Sequence, residues 1–472
     1  MRPDFDIAIV GYGPTGATLA NLLALSGVSV AVLERETAAY HLPRAVHFDD
    51  EVMRVLQTVG VAEAMADNVH VNPGMRFIDP AGKLLIDWPR PSGIGPQGWH
   101  ASYRFHQPTL ENLLRDAASR HSAITVRTRT DVYAIDEQTG HVRLRFENLA
   151  AGRLGSLTAR YVVGCDGARS LVRRLIGSEN DDLNCHEPWL VIDALLKRPR
   201  PDLGDHSVQY CDPSRPATYV RGVDDRRRWE IMLRPDEDGA VMSRPENVWR
   251  LLSRWIGPDD AELERAVPYM FHAVIAKAWR RGRLLLAGDS AHQTPPFLGQ
   301  GMCAGIRDAA NLAWKLAAVC RGEAGDALLD SYETERSPHV RDYIELAVRL
   351  GAVIMNASQP GGRDGQPVKM ESIRPRLGGH STRPDPEGRA APQPLLSDGT
   401  RLDDRIGYRP ALLRRPGPLA AGLSRSGIVD VADAALAPWL DEIQAEAVVI
   451  RPDRYVARAG GIAYCANWED LN

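Results

Sequence analysis

The sequence predicts an α/β protein: a Rossmann-like nucleotide-binding domain interrupted by a β-rich insertion and followed by a short C-terminal region. Three observations predict it. Gly11-Tyr12-Gly13-Pro14-Thr15-Gly16 lies between a buried strand and an apolar helix, and Glu34 closes the next strand, at about the spacing where an acid meets the ribose of a dinucleotide. A second strand-turn-helix begins with Leu284-Leu285-Leu286-Ala287 and continues through Gly288-Asp289 to Gly299-Gln300-Gly301. Between the two, residues 189–270 change to short alternating runs separated by charged turns, the pattern of strands with one buried face.

Composition narrows the class. A chain of 472 residues can bury the cores of two or three domains. The formal charge is −4 and the Lys and Arg residues are dispersed, so no nucleic-acid-binding face is expected. Six cysteines lie far apart without a C-x-x-C pair, which argues against a metal site or a disulfide framework and fits a reducing cytoplasm. No apolar run approaches the ~20 residues of a membrane span. The N-terminus enters its first strand almost at once, without signal-peptide architecture. The expectation is a soluble cytoplasmic protein.

Taken in order, residues 5–10 form the first strand, and Leu19, Leu22 and Leu23 mark the helix after it. Gly11 permits the tight turn, Gly13 the approach of a pyrophosphate, and Gly16 close packing of helix on strand. Pro14 and Thr15 begin the helix at this site. A second strand over 28–33 ends at Glu34, with Arg35 beside it; the acid favours an unphosphorylated ribose, hence FAD or NAD. Arg44 sits in the following loop as a candidate phosphate contact, and Asp49-Asp50-Glu51 open a helix with the sign its dipole favours. Gln107 precedes a helix carrying Leu110, Leu113 and Leu114, and Tyr161-Val162-Val163 runs into Gly164-Cys165-Asp166-Gly167. The β-rich part has candidate strands over 190–195, 207–210, 218–221 and 229–233. From Leu284 the nucleotide-binding pattern returns, with Gly288 allowing close backbone approach, Asp289 placed to face a ligand hydroxyl, and a helix from about Gly305.

The expected division assigns 1–72, 101–180 and 277–355 to the nucleotide-binding domain and 73–100 and 181–276 to the substrate domain. Residues 360–394 contain 13 Gly or Pro, so 356–394 reads as a linker or long extended loop. Residues 395–472 form the C-terminal region, with strands over 411–413 and 447–450.

GYGPTG with Glu34, CDGARS with Arg173, and AGDSAH running into GQGMCAGIRDAANLAWKL stand in one order. Together they resemble the FAD-dependent aromatic hydroxylases, the single-component flavoprotein monooxygenases, over at least residues 5–345. Gln300-Gly301-Met302-Cys303-Ala304-Gly305-Ile306-Arg307-Asp308 and Arg227-Arg228-Trp229-Glu230 look most like the 3-(3-hydroxyphenyl)propionate hydroxylase branch. The resemblance implies that Gly11, Gly13, Gly16 and Glu34 hold the ADP half of FAD, and that Arg44 and Gln107 reach its ribityl and pyrophosphate region. It puts Asp166 and Gly167 in a second fingerprint serving FAD and NAD(P)H, Asp289 on the ribityl chain, and the Gly299–Ala304 backbone, Met302 and Cys303 included, against the isoalloxazine. Many relatives carry Asn where Cys303 stands, so Cys303 is read as a small buried side chain rather than a catalytic thiol. The same branch implies a thioredoxin-like C-terminal region, here without a redox pair.

The activity so implied is hydroxylation of a phenolic or electron-rich aromatic substrate, with NADH or NADPH reducing FAD and dioxygen forming a flavin hydroperoxide. A base near the substrate hydroxyl is expected, and the sequence leaves His47, His206, Tyr210 and His292 as candidates. Pro295, Pro296 and Phe297 are expected to flank the reacting ring, with Tyr210, Tyr219 and Trp229 as further substrate-lining candidates and Arg221 as a partner for a substrate carboxylate. Besides the aromatic substrate and dioxygen, a second copy of the chain is carried as a partner. The alternative is an FAD-dependent dehydrogenase or reductase of the same fold, without oxygen insertion; a non-catalytic FAD- or NAD-binding sensor is the reading from another class.

Overall fold

The structure, a computed structural model, describes residues 2–39, 42–356, 368–378, 384–418 and 427–466. In its eight-stranded sheet Ile124–Arg127, Val30–Leu33, Phe5–Val10, Arg153–Gly164 and Leu284–Leu286 run in parallel, in that spatial order. Strands covered on both faces need apolar side chains throughout, and Ile7, Ala8, Ile9, Val30, Val32, Val162 and Leu285 are buried accordingly. An antiparallel hairpin, Thr130–Gln138 with His141–Asn148, extends the Arg153–Gly164 strand. Helix Pro14–Leu25 packs against helix Gly301–Arg321. A Cβ on Gly305 would lie 2.3 Å from Thr15 Oγ1, so the two helices approach this closely only because that position is glycine. The second helix starts at Gly301, not near Gly305: the turn is completed by Gly299 alone, at φ +65°, and Gln300 is already the N-cap.

The nine-stranded sheet joins Gly74–Ile78 and Leu84–Pro89 to the strands between Asn180 and Ala276. Two segments distant in sequence thus make one wall, and His292–Gln293 pairs with the edge of Ala261–Ala276. The outer face of this sheet lies under helix Pro245–Leu252, where Val248 and Leu252 pack with Leu190, Ile192, Tyr219, Trp229 and Ile231.

The composition of 356–394 suggested a linker, but its described part is bound to the body. Val368–Lys369 adds a parallel strand beside Leu84–Pro89, Leu377 and Ala391 are fully buried, and Gln393 Nε2 donates to Gln97 O at 2.8 Å. Residues 357–367 and 379–383 of that stretch lie outside the described residues. The C-terminal sheet orders Val429–Ala432, Ala411–Arg414, Ala447–Ile450 and Val456–Gly460, with the first pair parallel and the others antiparallel. It docks through buried ions: Arg54 meets Asp403 at 2.6 Å, and Glu335 takes both Lys315 and Arg451 at 2.7 Å. Such pairs hold only while both partners are present, because a lone buried charge is strongly penalised. Among the described residues no helix is long and apolar enough to cross a membrane, and no group of His, Cys, Asp or Glu could hold a metal ion.

Candidate active site

A cavity of about 460 Å³ lies between the parallel sheet and the inner face of the nine-stranded sheet. One end is the N-terminal glycine turn. Gly11 has φ +101°, and a Cβ there would sit 2.3 Å from the Cys165 carbonyl oxygen; one on Gly16 would sit 2.2 Å from Gly11 O. These two glycines serve packing. A Cβ on Gly13 would meet no protein atom within 4 Å, and Gly13, Pro14 and Thr15 face the cavity. No side chain caps the helix at Gly13, so its N-terminal N–H groups and positive dipole end are available to an anion. This open cradle fits the pyrophosphate of FAD.

The remaining nucleotide candidates divide into walls and supports. Glu34 accepts from Tyr12 N and from Glu36 N, both at 2.7 Å, which orders the glycine turn, while Arg35 is exposed beside Glu36. Asp166 accepts from Ser170 Oγ, Leu171 N and Ser290 Oγ; it ties the second fingerprint to the third, and Gly167 reaches the cavity wall. Gly288, at φ +63°, lies against Thr15, where a Cβ would be 2.7 Å from Oγ1. Asp289 opens onto the cavity, yet it is deep enough for desolvation to raise its carboxyl pKa, against the pull of His292 and Arg44. Gln107 faces the cavity and its Oε1 accepts from the backbone N–H groups of Arg44 and Ala45. Arg228 and Arg265 both pair with Asp193 and both donate to Pro43 O, so the substrate sheet clamps the loop that presents Arg44.

At the other glycine turn, Pro296, Phe297, Gly299, Gly301 and Met302 line the cavity. A Cβ on Gly301 would again meet nothing within 4 Å, and the helix it starts has no side-chain cap. Pro295 N-caps the short turn Pro296–Leu298 and is not among the lining residues. Cys303 is fully buried behind the wall, with Sγ directed at Gly299 O and His47 O, and burial pushes its thiol pKa far up.

The base candidates separate clearly. His292 is buried, with Nε2 2.7 Å from Asp308 Oδ2. Asp308 also takes Arg336 at 2.9 Å and Gly288 N at 3.0 Å, so His292 belongs to a structural hub. Tyr210 meets Trp255 edge to face, with ring centroids 5.1 Å apart, on the outer face of the sheet. His206 is not among the cavity residues. His47 faces the cavity; its Nε2 is 2.7 Å from Ser102 Oγ and its Nδ1 3.4 Å from Gly299 O. The carbonyl only accepts, so Nδ1 carries the proton and Nε2 accepts from Ser102. Burial, assisted by Arg90 and Arg104 against Asp49, lowers the His47 pKa to about 4.

Tyr219 and Trp229 do not line the pocket, a correction to the expectation. They pack on each other, with centroids 5.3 Å apart, beneath the covering helix. Strand alternation turns Thr218, Val220, Arg228 and Glu230 inward instead. Arg221 pairs with Asp205 at 2.9 Å and is not a lining residue. The sequence reading missed Asn72, Met75, Trp88, Arg90, Tyr269 and Phe271, all on the wall. The available signal was the alternation itself: once Trp229 is assigned outward, Arg228 and Glu230 must face in.

The family described as an FAD binding domain matches residues 4–347. The chain is 37% identical to a protein of Rhodococcus jostii (strain RHA1) named as a probable NADH-specific resorcinol 4-hydroxylase, over 96% of this chain and 92% of that one. It is 33% identical to 3-(3-hydroxy-phenyl)propionate/3-hydroxycinnamic acid hydroxylase 2 of Burkholderia vietnamiensis (strain G4 / LMG 22486), over 96% and 93%. Among solved structures, the flavin-dependent monooxygenase PieE in complex with FAD and substrate superposes with a TM-score of 0.83 at 21% identity, covering 100% of this chain and 99% of that one. Aklavinone-11 hydroxylase with FAD and aklavinone gives 0.81 at 24% identity, covering 97% and 96%. At these identities the structural likeness establishes the fold.

Proposed function

The chain belongs to the FAD-binding-domain family of flavoprotein hydroxylases, and from that premise we propose that it hydroxylates a meta-substituted phenol, with NADH as reductant and dioxygen as oxygen donor. FAD, when bound and reduced, supplies the activation of dioxygen. The observation that carries the reading is the single cavity with an open glycine cradle at one end and the inner face of the substrate sheet at the other. The names of two relatives support the substrate class, because resorcinol and a 3-hydroxyphenyl group are both phenols with a second substituent at the meta position.

The residues of this chain then have distinct tasks. The N–H groups after Gly13 bind the pyrophosphate. Asp289 accepts from a ribityl hydroxyl, a charge-assisted hydrogen bond of about 1.5–3 kcal/mol. The uncapped N-terminus of helix Gly301–Arg321 favours negative charge on the reduced ring system. Met75, Phe271 and Phe297 supply apolar walls that keep water from the reacting atoms. His47 is neutral at ordinary pH and, by donating to Gly299 O, holds the flavin-facing turn in place.

The test is product analysis under isotopically labelled dioxygen, with resorcinol and 3-(3-hydroxyphenyl)propionate as first substrates and NADH against NADPH. Substrate-dependent NADH oxidation with one labelled oxygen in the product is expected. Clean substrate oxidation without label would move the protein to the dehydrogenase reading.

A further inference from the structure

Helix Gly301–Arg321 points its uncapped N-terminus at the cavity, and most of its length is buried. A buried helix needs only apolar side chains, yet it carries Arg307, Asn311 and Lys315, each at most 4% exposed. Their spacing of four residues puts them in one row along the helix, spanning about 12 Å. All three are paired, and their partners lead to the same place. Lys315 Nζ donates to Glu335 Oε2 at 2.7 Å, and Arg451 Nη1 donates to Glu335 Oε1 at 2.7 Å. Asn311 Nδ2 donates to Asp453 Oδ2 at 2.9 Å and to Glu335 Oε2 at 3.0 Å. Arg307 Nε donates to Glu51 Oε2 at 2.6 Å, and Tyr455 Oη donates to the same oxygen at 3.2 Å.

Every rung of the row thus ends on one turn, Arg451-Pro452-Asp453-Arg454-Tyr455, between strands Ala447–Ile450 and Val456–Gly460 of the C-terminal sheet. The turn is itself fixed: Arg451 N donates to Tyr455 O at 3.0 Å, Arg451 pairs with Asp453, and Arg454 Nε meets Asp403 at 2.9 Å. Toward the cavity the row continues through Arg307, whose Nη1 donates to Gln300 Oε1 at 3.1 Å. Gln300 is the N-cap residue of the helix, and its Nε2 donates to Asp49 Oδ2 at 3.2 Å. Among the described residues none of the C-terminal region lines the cavity, so its bearing on the site runs through this helix.

Burial alone does not explain the row. Apolar side chains of similar volume would dock the C-terminal sheet as well or better, because buried ions lose their hydration. Directional bonds add register. An apolar face can slide or turn by fractions of an ångström, whereas three rungs set rotation and axial position together.

We propose that Arg451, Asp453 and Tyr455 are positioning residues: the C-terminal turn holds the helix so that its N-terminal N–H groups stand at the reducible ring of the flavin. This rests on placing that ring system at the Gly299–Gly301 turn, and not on the phenol as substrate. The N–H groups favour negative charge, so their placement weighs on reduced flavin more than on oxidised flavin. Loosening the row should lower the midpoint potential while oxidised FAD stays bound.

The test measures the midpoint potential of the FAD-loaded full-length chain by anaerobic dye equilibration, in the wild type, Arg451→Met, Tyr455→Phe and Leu440→Ala. Tyr455→Phe keeps the ring and removes one hydroxyl. Leu440 is fully buried in the C-terminal core, so Leu440→Ala loosens that region without touching the row. In Arg451→Met the reduced flavin should lose about tenfold more affinity than the oxidised one, a midpoint about 30 mV lower for a two-electron couple. Tyr455→Phe should shift the same way by less, with flavin content and melting temperature held. Leu440→Ala should melt earlier at the wild-type potential. Wild-type potentials in both Arg451→Met and Tyr455→Phe overturn the inference, as does an equal drop in Leu440→Ala, which would make the effect one of general stability. If Arg451→Met fails to fold, Tyr455→Phe decides alone. A wild type that incorporates labelled oxygen into a phenol while the variants keep its potential sinks this inference and leaves the hydroxylase reading standing.

Discussion

The two ends of the cavity are built by different means. At the nucleotide end the wall is backbone: Gly11, Gly16, Gly288 and Gly305 are glycines because a Cβ would collide at 2.2–2.7 Å, whereas a Cβ on Gly13 would meet no protein atom and would enter the cavity. At the substrate end the wall is side chains from alternate positions of strands, set by which face a helix covers on the outside. A backbone cradle suits a cofactor shared across a family, whereas a side-chain wall can be changed one residue at a time without disturbing the sheet. The lesson is that specificity and cofactor affinity should respond to separate substitutions.

The largest effect should come from Gly13→Val. Its side chain would occupy the cradle without striking protein, so the variant should fold, retain far-UV circular dichroism, and purify colourless. Gly16→Val, whose Cβ would meet Gly11 O at 2.2 Å, should instead fail to give soluble folded protein. A yellow Gly13→Val with full flavin content would break the distinction. Next is Trp229→Ala, which empties a fully buried site on the outer face and should cost about 3–5 kcal/mol of stability, read by denaturant unfolding. A marked change in substrate binding without that loss would put Trp229 back on the pocket side.

Asp289→Ala should weaken FAD by roughly one to two decades, measured by reconstituting apoprotein. Unchanged affinity would remove Asp289 from the cofactor site. Val220→Phe adds bulk to the inner face of the same strand whose Tyr219 points outward; KM for the phenol should rise several-fold while flavin content and melting temperature hold. The last effect concerns pH. The folded His47 pKa, about 4, lies below its unfolded value of 6.5, so the folded state binds fewer protons between the two. The stability gained by keeping His47 neutral is full above about pH 6.5 and declines as pH falls toward 4. A His47→Gln variant should show a flatter stability profile across that window, and an identical slope would contradict the assignment.

The contrast also explains what the sequence disclosed. The glycine turns were legible because the steric demand acts within a few residues, and GYGPTG followed by Glu34 states it almost completely. The helix after Gly299 was read to begin late, at Gly305, because two glycines inside its first turns look like loop; both are there for close approach, Gly305 to Thr15 and Gly301 to the cavity. The substrate wall was illegible for a topological reason. Alternation divides Thr218-Tyr219-Val220 and Arg228-Trp229-Glu230 into two faces, but only the covering helix Pro245–Leu252 says which is inside. Aromatic residues suggested a ring-binding lining, yet they were the better filling for a dry core, which left the polar residues to the cavity. Arg90 gave no local sign, since it reaches the wall only because the hairpin Gly74–Pro89 pairs with Ser207–Tyr210, more than a hundred residues along the chain. The stretch before the C-terminal sheet read as linker because Pro and Gly suit both a free chain and a strap whose hydrogen bonds go to the body.

The central claim is that cofactor and phenol share one cavity, and the most direct measurement is a titration of the FAD-loaded protein with resorcinol, followed in the visible flavin bands under anaerobic conditions without reductant. The account predicts a saturable perturbation of those bands in the wild type and, in Val220→Phe, a weaker resorcinol affinity with the same flavin content. Resorcinol binding measured by calorimetry with no change in the flavin spectrum would contradict it, because the phenol would then be bound somewhere else.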